Sequence, residues 1–246
     1  MIKAGDNLAK IIVETAEKNR TEIRDRDIIV VAQKIVSKAE GRLVRLSEVR
    51  ASQKAAEIAK ITKKDPRLVE LILKESKTIL KVSSEAIVAK DKRGLICINA
   101  GVDRSNVAPS EQDDAYTLLP LDPDKSARQI KEEVFELTKK QVGVVICDTF
   151  SRPFRRGQAN FAIGIAGLKP FFDYRGRKDL FGYVLRVKNA AVVDELAATA
   201  ELVMGQGNEG IPVAIVRGLK RVVFNEKTSV HELEISREED LFNETL

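Results

Sequence analysis

Val142-Gly143-Val144-Val145-Ile146-Cys147-Asp148-Thr149 is the stretch from which the rest of this chain is best read. Residues 142–147 are apolar throughout and rich in β-branched side chains, the strongest strand signal in the sequence. The run passes straight into an acid and a hydroxyl. A second strand is expected at residues 27–32, where Ile28, Ile29, Val30 and Val31 follow one another without a polar break. Such continuous runs mark strands covered on both faces. The cover is expected from helices. Residues 7–18 read as an amphipathic helix, with Asp6 as cap and Leu8, Ile11 and Ile12 on one face. Residues 51–61 and 66–74 read as paired helices, with Asp65-Pro66 supplying a cap and a first-turn proline. Residues 124–140 place Ala127, Ile130, Val134 and Leu137 toward a core, and 189–204 form a last helix. Residues 78–89, 95–99, 161–168 and 212–216 read as extended, and 108–123 as a polar loop. Helices and strands mix without regular β-α-β alternation, so the expected class is α+β, with mixed sheets and flanking helices.

At 246 residues the chain is long enough for one large domain or two small ones. Hydrophobic residues make up 43% and charged residues 32%, an ordinary soluble balance. The apolar runs are too short to span a bilayer. The start, Met1-Ile2-Lys3-Ala4-Gly5-Asp6, lacks the pattern of a signal peptide, so a cytoplasmic location is expected. Cys97 and Cys147 sit in apolar runs and read as reduced core residues. The single histidine, His231, excludes His-rich zinc sites, and any Ser-His-Asp triad would have to use it. A metal here would sit on oxygens, which favours magnesium or manganese.

The net charge of +5 is unevenly spread. Residues 151–188 hold nine Arg and Lys against Asp173 and Asp179, a local +7, which leaves −2 for the rest. A local basic excess implies an anionic partner.

Four groups of residues are candidates for chemistry. Asp103 and Asp148 each follow an expected strand, where α/β proteins hold ligands, with Asn106 and Thr149 as neutral oxygen donors beside them. Either acid alone also fits a turn or helix cap. The loop Met204-Gly205-Gln206-Gly207-Asn208-Glu209-Gly210-Ile211 is glycine-rich enough for backbone amides to approach phosphate, though a helix C-cap and turn explain it as well. Arg152-Pro153-Phe154-Arg155-Arg156-Gly157 could clamp phosphate or carboxylate, or be a solvated loop. Val36-Ser37-Lys38-Ala39-Glu40-Gly41-Arg42 offers a lysine for phosphate, and fits a hairpin turn nearly as well.

Together these segments resemble the coenzyme F420-0:L-glutamate ligases (F420-0:gamma-glutamyl ligases). The matching pieces, in order, are Ser37-Lys38-Ala39-Glu40-Gly41-Arg42, Asn99-Ala100-Gly101-Val102-Asp103-Arg104-Ser105-Asn106, Asp148-Thr149 with Phe154-Arg155-Arg156-Gly157, and Met204-Gly205-Gln206-Gly207 with Gly210-Ile211-Pro212. Gly176-Arg177-Lys178-Asp179-Leu180 and Val216-Arg217-Gly218-Leu219 support them. The resemblance implies one ligase domain over residues 1–246, with room for two subdomains, in a family-specific fold and an intertwined homodimer. It implies GTP-dependent addition of L-glutamate to F420-0, with two Mg²⁺ or Mn²⁺ per site and K⁺. Carried over by position, Asp103 and Asp148 hold the first metal, and Thr149 and Gln206 the second. Lys38, Asn106 and the eight residues 204–211 contact GTP. Asp148 is assigned to the chemistry, and Arg155 or Arg156 to substrate anions. The family's N-terminal Leu-Pro-x-Ile segment is unmatched, and Gln33-Lys34 stands where the family has Ser-Thr.

The mechanism this implies is phosphorylation of a carboxylate by GTP, then displacement of phosphate by the glutamate amine. The rival readings are a two-metal nucleotide phosphohydrolase, a ligase of the same family with a different acceptor, and a nucleic-acid-binding module on residues 151–188. Few aromatics interleave with the basic residues, which counts against single-strand binding. No nucleic acid and no membrane are expected as partners.

Overall fold

A computed structural model of the chain describes residues 1–107, 114–152, 154–236 and 238–240. In chain order the elements are α1 (Leu8–Lys18), β1 (Ile28–Ala32), α2 (Gln33–Ala39), β2 (Leu43–Arg45), α3 (Gln53–Thr62), α4 (Pro66–Glu75), β3 (Ser76–Val82), β4 (Ile87–Asp91) and β5 (Ile96–Ile98). They continue with β6 (Ala115–Thr117), α5 (Pro123–Thr138), β7 (Gly143–Ser151), β8 (Gln158–Ala166), β9 (Phe171–Asp173), β10 (Asn189–Ala191), α6 (Val192–Met204) and β11 (Val213–Val216). The class is α+β, with several separate sheets. No helix among the described residues is long and apolar enough to cross a membrane.

The two continuous apolar runs lie side by side. β1 and β7 pair in parallel, from Ile28 opposite Gly143 to Ala32 opposite Cys147. β11 flanks β1 and β8 flanks β7, both antiparallel, in the order β11-β1-β7-β8. Side chains alternate across a strand, so each run feeds two cores. Ile29, Val31, Val144 and Ile146 pack with α1 and α5. Ile28, Val30, Val145 and Cys147 pack with α6 from the other side. Each fully buried Val or Ile contributes about 1.5–3 kcal/mol over its exposed state. Polar residues could not face either side here, which is why the paired runs 28–31 and 144–147 carry none. Gly164 lets α5 lie against β8, since a Cβ there would meet the Pro123 carbonyl carbon at 2.4 Å.

A third cluster lies apart from that sheet. α3 and α4 cover the hairpin sheet β3-β4-β5 through Ala55, Val69, Ile72, Ile87 and Ala89, with Ala100, Val102 and Leu118 completing the core. Buried ion pairs brace its edge: Arg42 to Glu75 at 2.7 Å and Arg93 to Asp91 at 2.7 Å.

Several expected boundaries move. Asn7, rather than Asp6, caps α1 by accepting from the Lys10 amide. The pair at 51–61 starts at Gln53 behind a Ser52 cap, while Asp65 caps α4 as expected. Residues 78–89 span parts of two strands, β3 and β4. In 95–99 only Cys97 is buried, because the short β5 is an edge strand. The stretch 108–123 contains β6 and the first residue of α5, and 108–113 lie outside the described residues. Leu137 points outward at 53% exposure. Residues 189–191 are the strand β10, not helix. Lys38 lies on α2 rather than in a hairpin turn. Both cysteines are free and buried, with burial pushing each thiol up to about 12.

Candidate active site

The site forms where β1 stops and β7 does not. The parallel pairing ends at Ala32 and Cys147, and α2 begins at Gln33. Asp148 and Thr149 are therefore inside β7, still paired to Phe161 and Asn160 of β8, but without a β1 neighbour. This corrects the strand-end reading of Asp148. The crevice remains the one expected, at the carboxyl end of parallel strands. Burial pushes the Asp148 carboxyl up to about 6; its own strand amides, Lys34 and Gln33 pull it down, and Asp103 pushes it further up.

Asp103 arrives from the third cluster. It is not on a strand: it makes a single antiparallel bridge to Thr117, whose hydroxyl donates to the Asp103 carbonyl at 3.0 Å. Its carboxylate accepts from the Ser105 amide at 3.0 Å, the Ser105 hydroxyl and the Lys34 ammonium. Burial alone would raise this carboxyl. The Lys34 and Ser105 hydrogen bonds outweigh burial and hold it below the ordinary value. Lys38, one helical turn beyond Lys34, donates to the Asn106 carbonyl at 2.6 Å. Burial, then the Lys34 charge, lowers the Lys38 ammonium.

Thr149, next to Asp148 on β7, meets Gln206. The Thr149 hydroxyl lies 2.8 Å from Asn160 Oδ1 and 2.9 Å from Gln206 Oε1. Gln206 Nε2 donates to Asn160 Oδ1 at 2.9 Å and to Glu201 Oε1 at 2.7 Å. Glu201 also accepts from the Asn160 amide at 2.8 Å. Gly205 ends α6 with φ 69°, and the Glu209 carboxylate accepts from the Gly207 amide at 2.8 Å. Met204 is buried in the α6 core, so only its backbone reaches the loop. Asn208, Gly210 and Ile211 are exposed.

The structure thus brings Asp103, Asp148, Thr149, Gln206, Lys38 and Asn106 to one crevice. Arg155 and Arg156 are exposed on the turn between β7 and β8, and among the described residues neither makes a hydrogen bond or ion pair. Pro153 lies outside the described residues. Arg175, Arg177, Lys178, Arg186 and Lys188 of the basic window are spread along an exposed arm, residues 174–188, where Leu180, Phe181 and Val187 are 98%, 96% and 89% exposed.

Three neighbours were not foreseen, Ser105, Asn160 and Glu201, and Lys34, expected only as a departure from the family's Ser-Thr pair, binds Asp103. Lys34 stands four residues before Lys38, a same-face spacing visible once α2 is known to be a helix. Asn160, a buried polar residue in an apolar strand, was the other available sign.

The donor set suits hard cations. Two carboxylates raise each other's charging cost, which a cation between them relieves. Thr149 has one hydroxyl proton but two oxygen neighbours, so one of those contacts lacks a hydrogen. A cation beside Thr149 and Gln206 would satisfy it. Among the described residues no three His, Cys, Asp or Glu side chains gather, so amide and hydroxyl oxygens would have to complete either site.

An α+β chain with paired acids and two lysines at a strand-helix crevice has the equipment to hold cations and phosphates together. The family is defined more closely by comparison. The F420-0:Gamma-glutamyl ligase family model matches residues 1–218, and the chain belongs to that family. It is 46% identical over 218 residues to the coenzyme F420:L-glutamate ligase of Methanothermobacter thermautotrophicus, covering 89% of this chain and 85% of that one. It is 44% identical to the Archaeoglobus fulgidus protein of that name, covering 100% and 94%. The Methanocaldococcus jannaschii protein of that name is 41% identical, covering 98% and 93%.

Proposed function

We propose that this chain is an acid–amino-acid ligase that adds L-glutamate to coenzyme F420-0 through γ-linked amides, using GTP, in F420 biosynthesis. The observation that carries it is Lys34 on α2, which donates to Asp103 of one core and whose charge also acts on Asp148 of the other, with Lys38 one turn along, in a chain of this family.

In this reading Asp103 and Asp148 hold one Mg²⁺ or Mn²⁺, and Thr149 and Gln206 a second, with K⁺ as a further cation. The bound cations supply charge neutralisation between the nucleotide's γ-phosphate and the attacking carboxylate. The chain's residues do the rest. Lys38, Asn106 and the 204–211 loop hold the GTP phosphates. Asn160 and Glu201 fix the Gln206 amide, so that its oxygen faces the crevice. Arg155 and Arg156 receive substrate anions. The F420-0 carboxylate takes the γ-phosphoryl group and GDP leaves. The glutamate nitrogen then bonds to the acyl carbon, the acyl–phosphate bond breaks, and the amine's proton goes to solvent. Residues 1–246 act as one ligase domain. The apolar tip of the 174–188 arm, too exposed to be left in water, meets a second copy in a homodimer.

The test is incubation with F420-0, glutamate, Mn²⁺ and either GTP or ATP, followed by mass spectrometry. Successive glutamyl mass increments with GTP are expected. No increment under any condition would sink the proposal, and phosphate release without glutamate would install the phosphohydrolase instead.

A further inference from the structure

Lys34 stands beside the acids, but the functional reading gives it no role of its own. Its side chain is only 16% exposed, and it reaches across from α2 to the third cluster. Its ammonium has three protons and three acceptors: Asp103 Oδ2, the Ser105 carbonyl at 3.0 Å and the Ser105 hydroxyl at 3.0 Å. Both Asp103 oxygens are already engaged, Oδ1 by the Ser105 amide at 3.0 Å and Oδ2 by Lys34 and the Ser105 hydroxyl. Its charge also acts on Asp148. Among the described residues, Lys34 is thus a cation bound to Asp103 whose charge also reaches Asp148.

A divalent ion taking Asp103 would compete for the same carboxylate and would repel an ammonium a few ångströms away. Ser105 is tied to Asp103 by two residues of backbone and cannot leave. Lys34 stands on a long flexible stem and can. One turn away, Lys38 already donates to the Asn106 carbonyl at 2.6 Å, so that acceptor is taken and a displaced Lys34 ammonium turns toward solvent or bound substrate.

We infer that Lys34 is a placeholder cation, which neutralises Asp103 beside Asp148 before a divalent ion arrives and must be displaced when it does. The inference rests on the metal assignment proposed above. It makes Lys34 a positioning residue that sets the cation affinity of the site.

The test is calorimetric titration of Mn²⁺ alone into the full chain, in wild type, Lys34→Met and Lys34→Arg. Lys34→Met should bind Mn²⁺ at least about tenfold more tightly, and Lys34→Arg no more tightly than wild type. In EDTA the melting temperature of Lys34→Met should fall below wild type, and Mn²⁺ should raise it by the larger amount. If Lys34→Met does not fold, Lys34→Gln keeps the hydrogen-bonding reach without the charge and should also bind more tightly. Unchanged or weaker Mn²⁺ binding in the neutral variants would overturn the placeholder and leave the metal assignment standing. No Mn²⁺ binding in wild type or any variant would overturn both.

Discussion

Replacing Asp148 by Asn should make the metal-free protein more stable and the enzyme inactive. Burial pushes the Asp148 carboxyl from 3.8 up to about 6. The protonated form is therefore the one the fold prefers. The stability it contributes is fully present below about pH 3.8 and is lost as pH rises through about 6. The gap corresponds to about 3 kcal/mol at neutral pH. Asp148 is partly open to the crevice, so solvent screening trims this to about 1–2 kcal/mol. Asn fills the same space and carries no charge at any pH. Urea unfolding in EDTA should find the two proteins equal near pH 4. The variant should then gain about 1–2 kcal/mol over wild type by pH 7.5. Saturating Mn²⁺ should reverse the order, since a ligand at about 100 times its Kd adds roughly 2.7 kcal/mol to wild type. Glutamate addition should vanish. A gap that does not open with rising pH would refute the burial argument. Normal turnover by the variant would refute the metal assignment.

Two other perturbations test the scaffold and the outer layer of the site. Gly164→Ala should destabilise the protein by about 1–3 kcal/mol in urea unfolding, because the new methyl lands on the Pro123 backbone, which cannot move aside alone. Glu201→Gln should raise the Mn²⁺ concentration for half-maximal activity about 10–100-fold with little change in stability, because the Gln206 amide loses the charged acceptor that orients it.

The sheet was legible because its physics is local. Unbroken runs of Val and Ile have no amphipathic solution, so β1 and β7 had to be central strands. The end of β7 was misjudged for the same reason. Hydrophobicity stops at Cys147, but the strand continues to Ser151 because β8 still offers partners. The acids were legible as chemistry and not as geometry. Nothing near Asp103 in sequence says that it meets Asp148, since the meeting depends on how the third cluster docks. Lys34 was legible only as a departure from the family's Ser-Thr pair, because its reach to Asp103 depends on α2 starting at Gln33, which the apolar run before it does not announce. Asn160 and Glu201 act through Gln206, and contacts of that kind leave no spacing in the sequence.

The site is assembled across a seam. Asp148, Thr149 and Gln206 are carried by the main sheet and its helix α6, whereas Asp103 and Asn106 hang from the cluster built on α3, α4 and the β3-β4-β5 hairpins. A cation held by both acids would therefore act as a rivet between two separately packed bodies. Repacking in α4, remote from any substrate, would be felt as a change in the gap the rivet must span. Cation affinity can then drift or be tuned without touching a single ligand.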